Sequence, residues 1–209
     1  MQVDTEREAK AVKRLVEDRE FEGKLARSVI LERTYATDID DIWDALTNGE
    51  RIPRWFLPVS GDLRAGGRYK LQGNGGGSIT DCEPARRLGM TWEFGGQTSW
   101  VFVTLSEGDA GRTLLRLEHV APVGGASTEF WDQFGPGAVG VGWDLAVMGL
   151  GQHLETGESI DHEASEEWSR SDEGKAFLTL ASTAWSEASV AFGTDPEAGA
   201  AGGGGATRF

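Results

Sequence analysis

Positive charge is scarce in this chain: 20 Lys and Arg stand against 34 Asp and Glu, a formal net charge of −14. A surface this acidic has little with which to neutralise phosphates, so no nucleic-acid partner is expected. Attraction to anionic membranes is disfavoured for the same reason, and the excess charge serves solubility. Cysteine is all but missing. Cys82 alone cannot form an intrachain disulfide, which fits a reducing, cytoplasmic setting, and in a strand with no activating neighbour in sequence it reads as inert. No stretch approaches the roughly 20 apolar residues of a membrane span, and no apolar signal core follows Met1. His153 and His162 lie near Glu155 and Glu163, but no pair has a zinc spacing such as HExxH, so neither metal nor cofactor is expected. A GxSxG nucleophile elbow is also lacking.

Glycine and tryptophan, by contrast, are plentiful: 30 and 8 in 209 residues, within a chain that is 39% hydrophobic. That is material for one domain with extensions, or two small ones. The organising stretch is Gly135–Leu154, GPGAVGVGWDLAVMGLGQHL. Val139, Trp143, Ala146, Val147, Leu150 and Leu154 share one face of a helix, and Pro136 suits its first turn. Gly137, Gly140, Gly142, Gly149 and Gly151 oppose it, each costing about 1 kcal/mol against alanine, and a loop is the competing reading. A helix that tolerates these glycines draws its stability from packing. They allow close backbone approach to a sheet and leave volume unfilled.

Ahead of that helix, the charged segment Thr5–Glu20 carries Ala9, Val12, Leu15 and Val16 at helical spacing, which predicts a peripheral amphipathic helix or leader. Gly23–Tyr35 alternates as a strand. Thr37-Asp38 caps a helix that buries Ile39, Ile42, Trp43 and Leu46 and stops at Asn48-Gly49; capping accounts for Asp38, Asp40 and Asp41 without a metal. A second short helix spans Glu50–Phe56. The period then becomes two, with strands over Gly67–Leu71, Gly77–Cys82, Arg87–Phe94, Ser99–Leu105 and Thr113–His119. Short breakers separate them, making an antiparallel meander; the run Gly73–Gly77 is a hairpin turn and no phosphate cradle, because a strand follows it. Past Glu155 comes a polar linker, then Phe177, Leu180, Ala181, Ala184, Trp185, Ala188 and Phe192 at helical spacing, then a Gly/Ala-rich tail. The expected segments are 1–22, 23–155, 156–192 and 193–209. The expected class is α+β: a curved antiparallel sheet wrapped around a long helix, plus an extra C-terminal helix.

The pieces VILERTYATDIDDIWDALTNGERIPRWF, DLRAGGRYKL, ARRLGMTWEF, RTLLRLEH and VGVGWDLAVMGLGQHL run in an order that resembles the SRPBCC (START-like) superfamily. More closely, they are similar to the bacterial domains related to the C-terminal domain of the activator of the ninety-kilodalton heat-shock chaperone ATPase. Trp43, Trp55-Phe56, Gly66-Gly67, Thr91-Trp92 and Gly142-Trp143 carry the resemblance, over roughly Leu25–Leu154. It implies a helix-grip fold with a cavity between sheet and terminal helix. Relatives bind hydrophobic small molecules, cyclise polyketides or act as co-chaperones, so activity transfers less well than fold.

Trp55, Tyr69, Trp92, Leu115, Leu117, His119, Trp143 and Val147 are the candidate cavity lining, their aromatic walls suited to a flat or greasy ligand. The competing reading is that they fill a core. His119, inward by alternation, is a weak candidate for general base in a cyclase-like reaction; a structural histidine is the alternative. The expected function is non-enzymatic binding of a small hydrophobic ligand. A co-chaperone-like module using the Phe177–Phe192 helix to hold a protein partner, and a cyclase or aromatase-like enzyme, are the alternatives.

Overall fold

A computed structural model describes residues 3–195, so most of the expected tail lies outside the described residues. The element order is α1 (Thr5–Lys10), β1 (Val12–Phe21), β2 (Lys24–Tyr35), α2 (Ile39–Thr47), β3 (Val59–Gly61), β4 (Arg68–Leu71), β5 (Gly76–Glu83), β6 (Arg87–Phe94), β7 (Gln97–Glu107), β8 (Thr113–Pro122), α3 (Gly125–Phe134), α4 (Gly137–Thr156), α5 (His162–Arg170) and α6 (Asp172–Phe192). The strands form one sheet in the order β1-β2-β8-β7-β6-β5-β4-β3, antiparallel along the meander from β3 to β8. The class is α+β.

The chain divides into two compact units. One comprises Met1–Leu31, Ala121–Leu145 and Asp161–Phe209; the other, the central unit, comprises Glu32–Val120 and Ala146–Ile160. β2, β8 and α4 pass from one into the other.

In the terminal unit the N-terminal segment corrects the sequence expectation. Only Thr5–Lys10 is helical; Val12–Phe21 is a strand. Val12, Arg14 and Val16 alternate inward, and it is the buried arginine between two valines that hides the period of two. Glu22 and Gly23, both at positive φ, make the tight turn into β2. Arg14 donates to both carboxylate oxygens of Asp144, at 3.1 and 2.8 Å, and to the carbonyls of Ala9 and Val12. Trp185 of α6 donates its indole N–H to Asp144 Oδ2 at 2.7 Å. Asp144 and Trp185 are both fully buried. A buried ion pair is tolerable when its remaining polar atoms are also bonded, as here.

The segment expected as a polar linker contains α5, capped by Asp161, whose side chain accepts from Glu163 N and Ala164 N. Trp168 of α5 packs on Phe177 of α6, ring centroids 5.9 Å apart. Helix α6 begins five residues earlier than Phe177, at Asp172, and buries Phe177, Ala181, Trp185 and Ser189 as one stripe. Helix α3 and strand β3 had no sequence counterpart.

In the central unit Asp38 caps α2 as expected, accepting from Asp41 N at 2.9 Å, which is worth about 1 kcal/mol. The second short helix shrinks to a single 3-10 turn, Ile52–Arg54. Trp55 ties that turn to α2 through its indole N–H and Ala45 O, 2.8 Å apart.

The glycines of α4 also correct the sequence reading. The helix is buried almost all round from Asp144 to Gly151, so one apolar face undercounts its packing. A Cβ on Gly140 would fall 2.2 Å from Trp185 Cε2 in the terminal unit. In the central unit, a Cβ on Gly149 would meet Ile160 and the Trp55 carbonyl, and one on Gly151 would meet Arg33. These three glycines leave no volume unfilled. They are occupied by large neighbours, and Gly142 alone of this set of four faces open space.

Candidate functional site

The central unit's sheet carries one face whose residues the ladders place side by side. Opposed residues of antiparallel strands share a face. Tyr69 opposes Gly77, Ile79 opposes Met90, Trp92 opposes Ser99, and Met90 opposes Val101. Val101 in turn opposes His119, while Val103 opposes Leu117 and Leu105 opposes Leu115. Along β8 the face is sealed at Leu115 and Leu117 and becomes partly accessible at His119; along β6 it is sealed at Leu88 and opens at Met90 and Trp92. The open end therefore consists of Met90, Trp92, Ser99 and His119.

Bare backbone lets the aromatic residues settle there. A Cβ on Gly75 would stand 2.8 Å from Trp92 Nε1, and one on Gly77 only 2.2 Å from Thr91 O. The glycine run after β4 is thus both the hairpin turn read from sequence and the floor beneath the Trp92 indole. Tyr69 donates to Thr91 O at 2.8 Å, and burial together with the nearby Glu93 carboxylate pushes its pKa up, so it stays a donor.

At the open end His119 Nε2 lies 2.7 Å from Ser99 Oγ, which also reaches Trp92 O at 3.3 Å. The Trp92 and His119 rings are tilted by 51° with centroids 6.2 Å apart. Although some of its surface stays accessible, the protein packed around His119 disfavours the charged ring and pushes its pKa down to about 4. At neutral pH the ring is uncharged and a weak base. A general base works best with a pKa near the operating pH, so this pair is better suited to hydrogen bonding than to proton abstraction.

Of the eight residues expected to line a cavity, Tyr69, Trp92, Leu115, Leu117 and His119 share this face. Trp55 spends its N–H on α2. Val147 belongs to the central unit, where its carbonyl accepts from the Tyr35 hydroxyl at 2.8 Å. Trp143 falls in the terminal unit. Ser99, Met90 and Gly77 were missed. Counting back in twos from Leu105 through Val103 and Val101 reaches Ser99, so the signal was present, but its pairing with His119 needed the ladder register.

His153 is a structural residue. Arg51 Nε can only donate, so His153 Nε2 accepts at 3.0 Å, and Nδ1–H then donates to Glu158 O at 2.7 Å. A cleft of about 340 Å3 lies against β3–β5 and includes Tyr69 and Gly77 of this face beside Arg68 and Glu93. Its rim is the solvated Arg68–Glu93 ion pair, and of the expected lining only Tyr69 reaches it. Among the described residues no group of three metal-ligating side chains converges, and no helix is long and apolar enough to cross a membrane.

Residues 36–155 match the family described as Activator of Hsp90 ATPase homolog 1-like protein. The chain belongs to this family. CalU16 from Micromonospora echinospora is 35% identical in its crystal structure, with 82% of this chain and 98% of that one covered and a TM-score of 0.61. Its solution structure gives 32%, 87% and 97%, with a TM-score of 0.69. DynU16, described as a protein in the dynemicin biosynthetic locus, is 25% identical over 63% of this chain and 48% of its own, with a TM-score of 0.54. No curated protein sequence matches. The helix-grip class inferred from the motifs is therefore shown for this Activator of Hsp90 ATPase homolog 1-like chain.

Proposed function

We propose that the protein binds a small hydrophobic molecule on the inner face of the central sheet, at the end formed by Met90, Trp92, Ser99 and His119. One observation carries this reading: an otherwise sealed apolar face opens where a hydrogen-bonded polar pair lies beside a half-buried indole. An apolar wall with a few placed polar groups is the usual composition of a small-molecule site. Leu115, Leu117 and Tyr69 extend the wall, and Val147 on α4 remains a candidate member of it. The kinship with a protein of the dynemicin biosynthetic locus is in keeping with a small-molecule role.

The co-chaperone-like reading stands second. The stripe of α6 offered for a partner is consumed inside the terminal unit, where Phe177, Ala181 and Trp185 are at most 1% exposed. What α6 leaves outside is Leu180 and Val190, each 38% exposed, a small apolar area for a partner.

Native mass spectrometry of the purified protein, run beside an organic extract of the same sample, tests the binding reading. A retained apolar compound, lost from a Leu117→Trp variant that fills the face, is the expected result. An apo mass combined with no uptake of added bicyclic aromatic compounds overturns it.

A further inference from the structure

Resting on that binding reading, we infer that the ligand is an uncharged apolar molecule bearing a hydroxyl group, an alcohol or phenol, which donates to Ser99 Oγ. The protons and lone pairs at the open end set this class. A serine hydroxyl has one proton and two acceptor lone pairs. Ser99 Oγ has two neighbours, Trp92 O at 3.3 Å and His119 Nε2 at 2.7 Å. If the hydroxyl proton goes to Trp92 O, Nε2–H of the histidine donates to Ser99 and one lone pair is left. If the proton goes to Nε2, both lone pairs are left. Either arrangement leaves Ser99 an acceptor, and the complementary ligand group is a donor.

Charge on the same face narrows the class further. Tyr69, Ile79, Leu88, Met90, Trp92, Val101, Val103, Leu105, Leu115 and Leu117 bring no ionic group to it. The buried cation of the unit, Arg33, lies over the Tyr35 ring, where a Cβ on Gly151 would meet its guanidinium. Arg68 and Glu93 alternate to the opposite face and pair with each other at 2.7 Å. A carboxylate at Ser99 would lose its hydration with no cation to replace it, and would meet an oxygen that has only lone pairs to offer. An ether or ketone could pair only by drawing the Ser99 proton away from Trp92 O, exchanging one hydrogen bond for another. A hydroxyl satisfies both itself and Ser99.

Three probes of one shape separate the possibilities: 2-naphthol, which donates and is neutral at pH 7; 2-methoxynaphthalene, which cannot donate; and 2-naphthoate, which is anionic at pH 7. Equilibrium dialysis against the full chain reads their affinities. One hydrogen bond predicts 2-naphthol binding about fivefold to tenfold tighter than 2-methoxynaphthalene, with 2-naphthoate weakest. In Ser99→Ala the ratio of 2-naphthol to 2-methoxynaphthalene should fall to about one, and Ser99→Thr, which keeps the hydroxyl, should restore part of it. Equal binding of the naphthol and its methyl ether by the unaltered chain would overturn the hydroxyl assignment while leaving the binding reading intact. Tightest binding by 2-naphthoate would do the same. Failure of all three probes would remove both.

Discussion

Glycine-to-alanine replacement in a helix interior is ordinarily favourable by about 1 kcal/mol. In α4 the same replacement should have opposite signs two residues apart. At Gly142 an added Cβ meets nothing within 4 Å, so Gly142→Ala should stabilise the protein by about 0.5–1 kcal/mol. At Gly140 it would lie 2.2 Å from Cε2 and 2.4 Å from Nε1 of Trp185. That indole is fully buried and cannot swing aside as a surface side chain would. Moving it by the ångström or more needed also breaks the 2.7 Å bond to Asp144 Oδ2. Overpacking costs about 1–3 kcal/mol, and a hydrogen bond to a charged group about 1.5–3 kcal/mol. Against the gain in propensity, Gly140→Ala should destabilise by about 2–4 kcal/mol. Urea unfolding followed by far-ultraviolet circular dichroism, which does not depend on the environment of Trp185, measures both variants. A Gly140→Ala protein as stable as Gly142→Ala would refute the claim that this glycine exists to admit Trp185.

Three further outcomes are expected. Arg14→Met strands the fully buried Asp144 and should cost about 3–5 kcal/mol, whereas the double variant Arg14→Met/Asp144→Leu should be the more stable of the two; thermal denaturation of both checks the order. His119 titrates at about 4 in the fold against an ordinary 6.5, so between those values the unfolded chain binds the extra proton. Its contribution is full above about pH 6.5 and is lost as pH falls towards 4; the ceiling is about 3 kcal/mol, reduced by the ring's partial access to water. The stability difference between the unaltered chain and His119→Gln should shrink over that window, and a constant difference from pH 7 to pH 4 would contradict it. Gly77→Ala would place a Cβ 2.2 Å from the Thr91 carbonyl, a backbone atom that cannot retreat, and should lower stability by at least about 2 kcal/mol in urea titrations.

Local periodicity was sufficient for most of the architecture. The alternation of Leu88, Met90 and Trp92, the capping oxygen of Asp38, and the recurrence of Phe177, Ala181 and Trp185 each report an environment created by near neighbours in the chain. Where the sequence reading failed, the deciding partner was distant. Val12–Phe21 looked helical because Arg14 interrupts its apolar alternation, and Arg14 is buried only because Asp144 stands 130 residues away. The glycines of α4 looked like empty volume because no local rule says that Trp185, Trp55 and Arg33 will fill it.

The candidate site divides along the same line. Its apolar composition and the inward side of His119 follow from a period of two, which any strand must obey. That Ser99 meets His119 depends on register across the β7–β8 ladder, where Val101 opposes His119 and not its neighbour. A shift of one residue would turn every side chain to the other face without changing a single local preference. The elements are thus written in short-range pattern. The Ser99–His119 pair and the Arg14–Asp144–Trp185 network exist only once the strands have found their register and α4 has been packed.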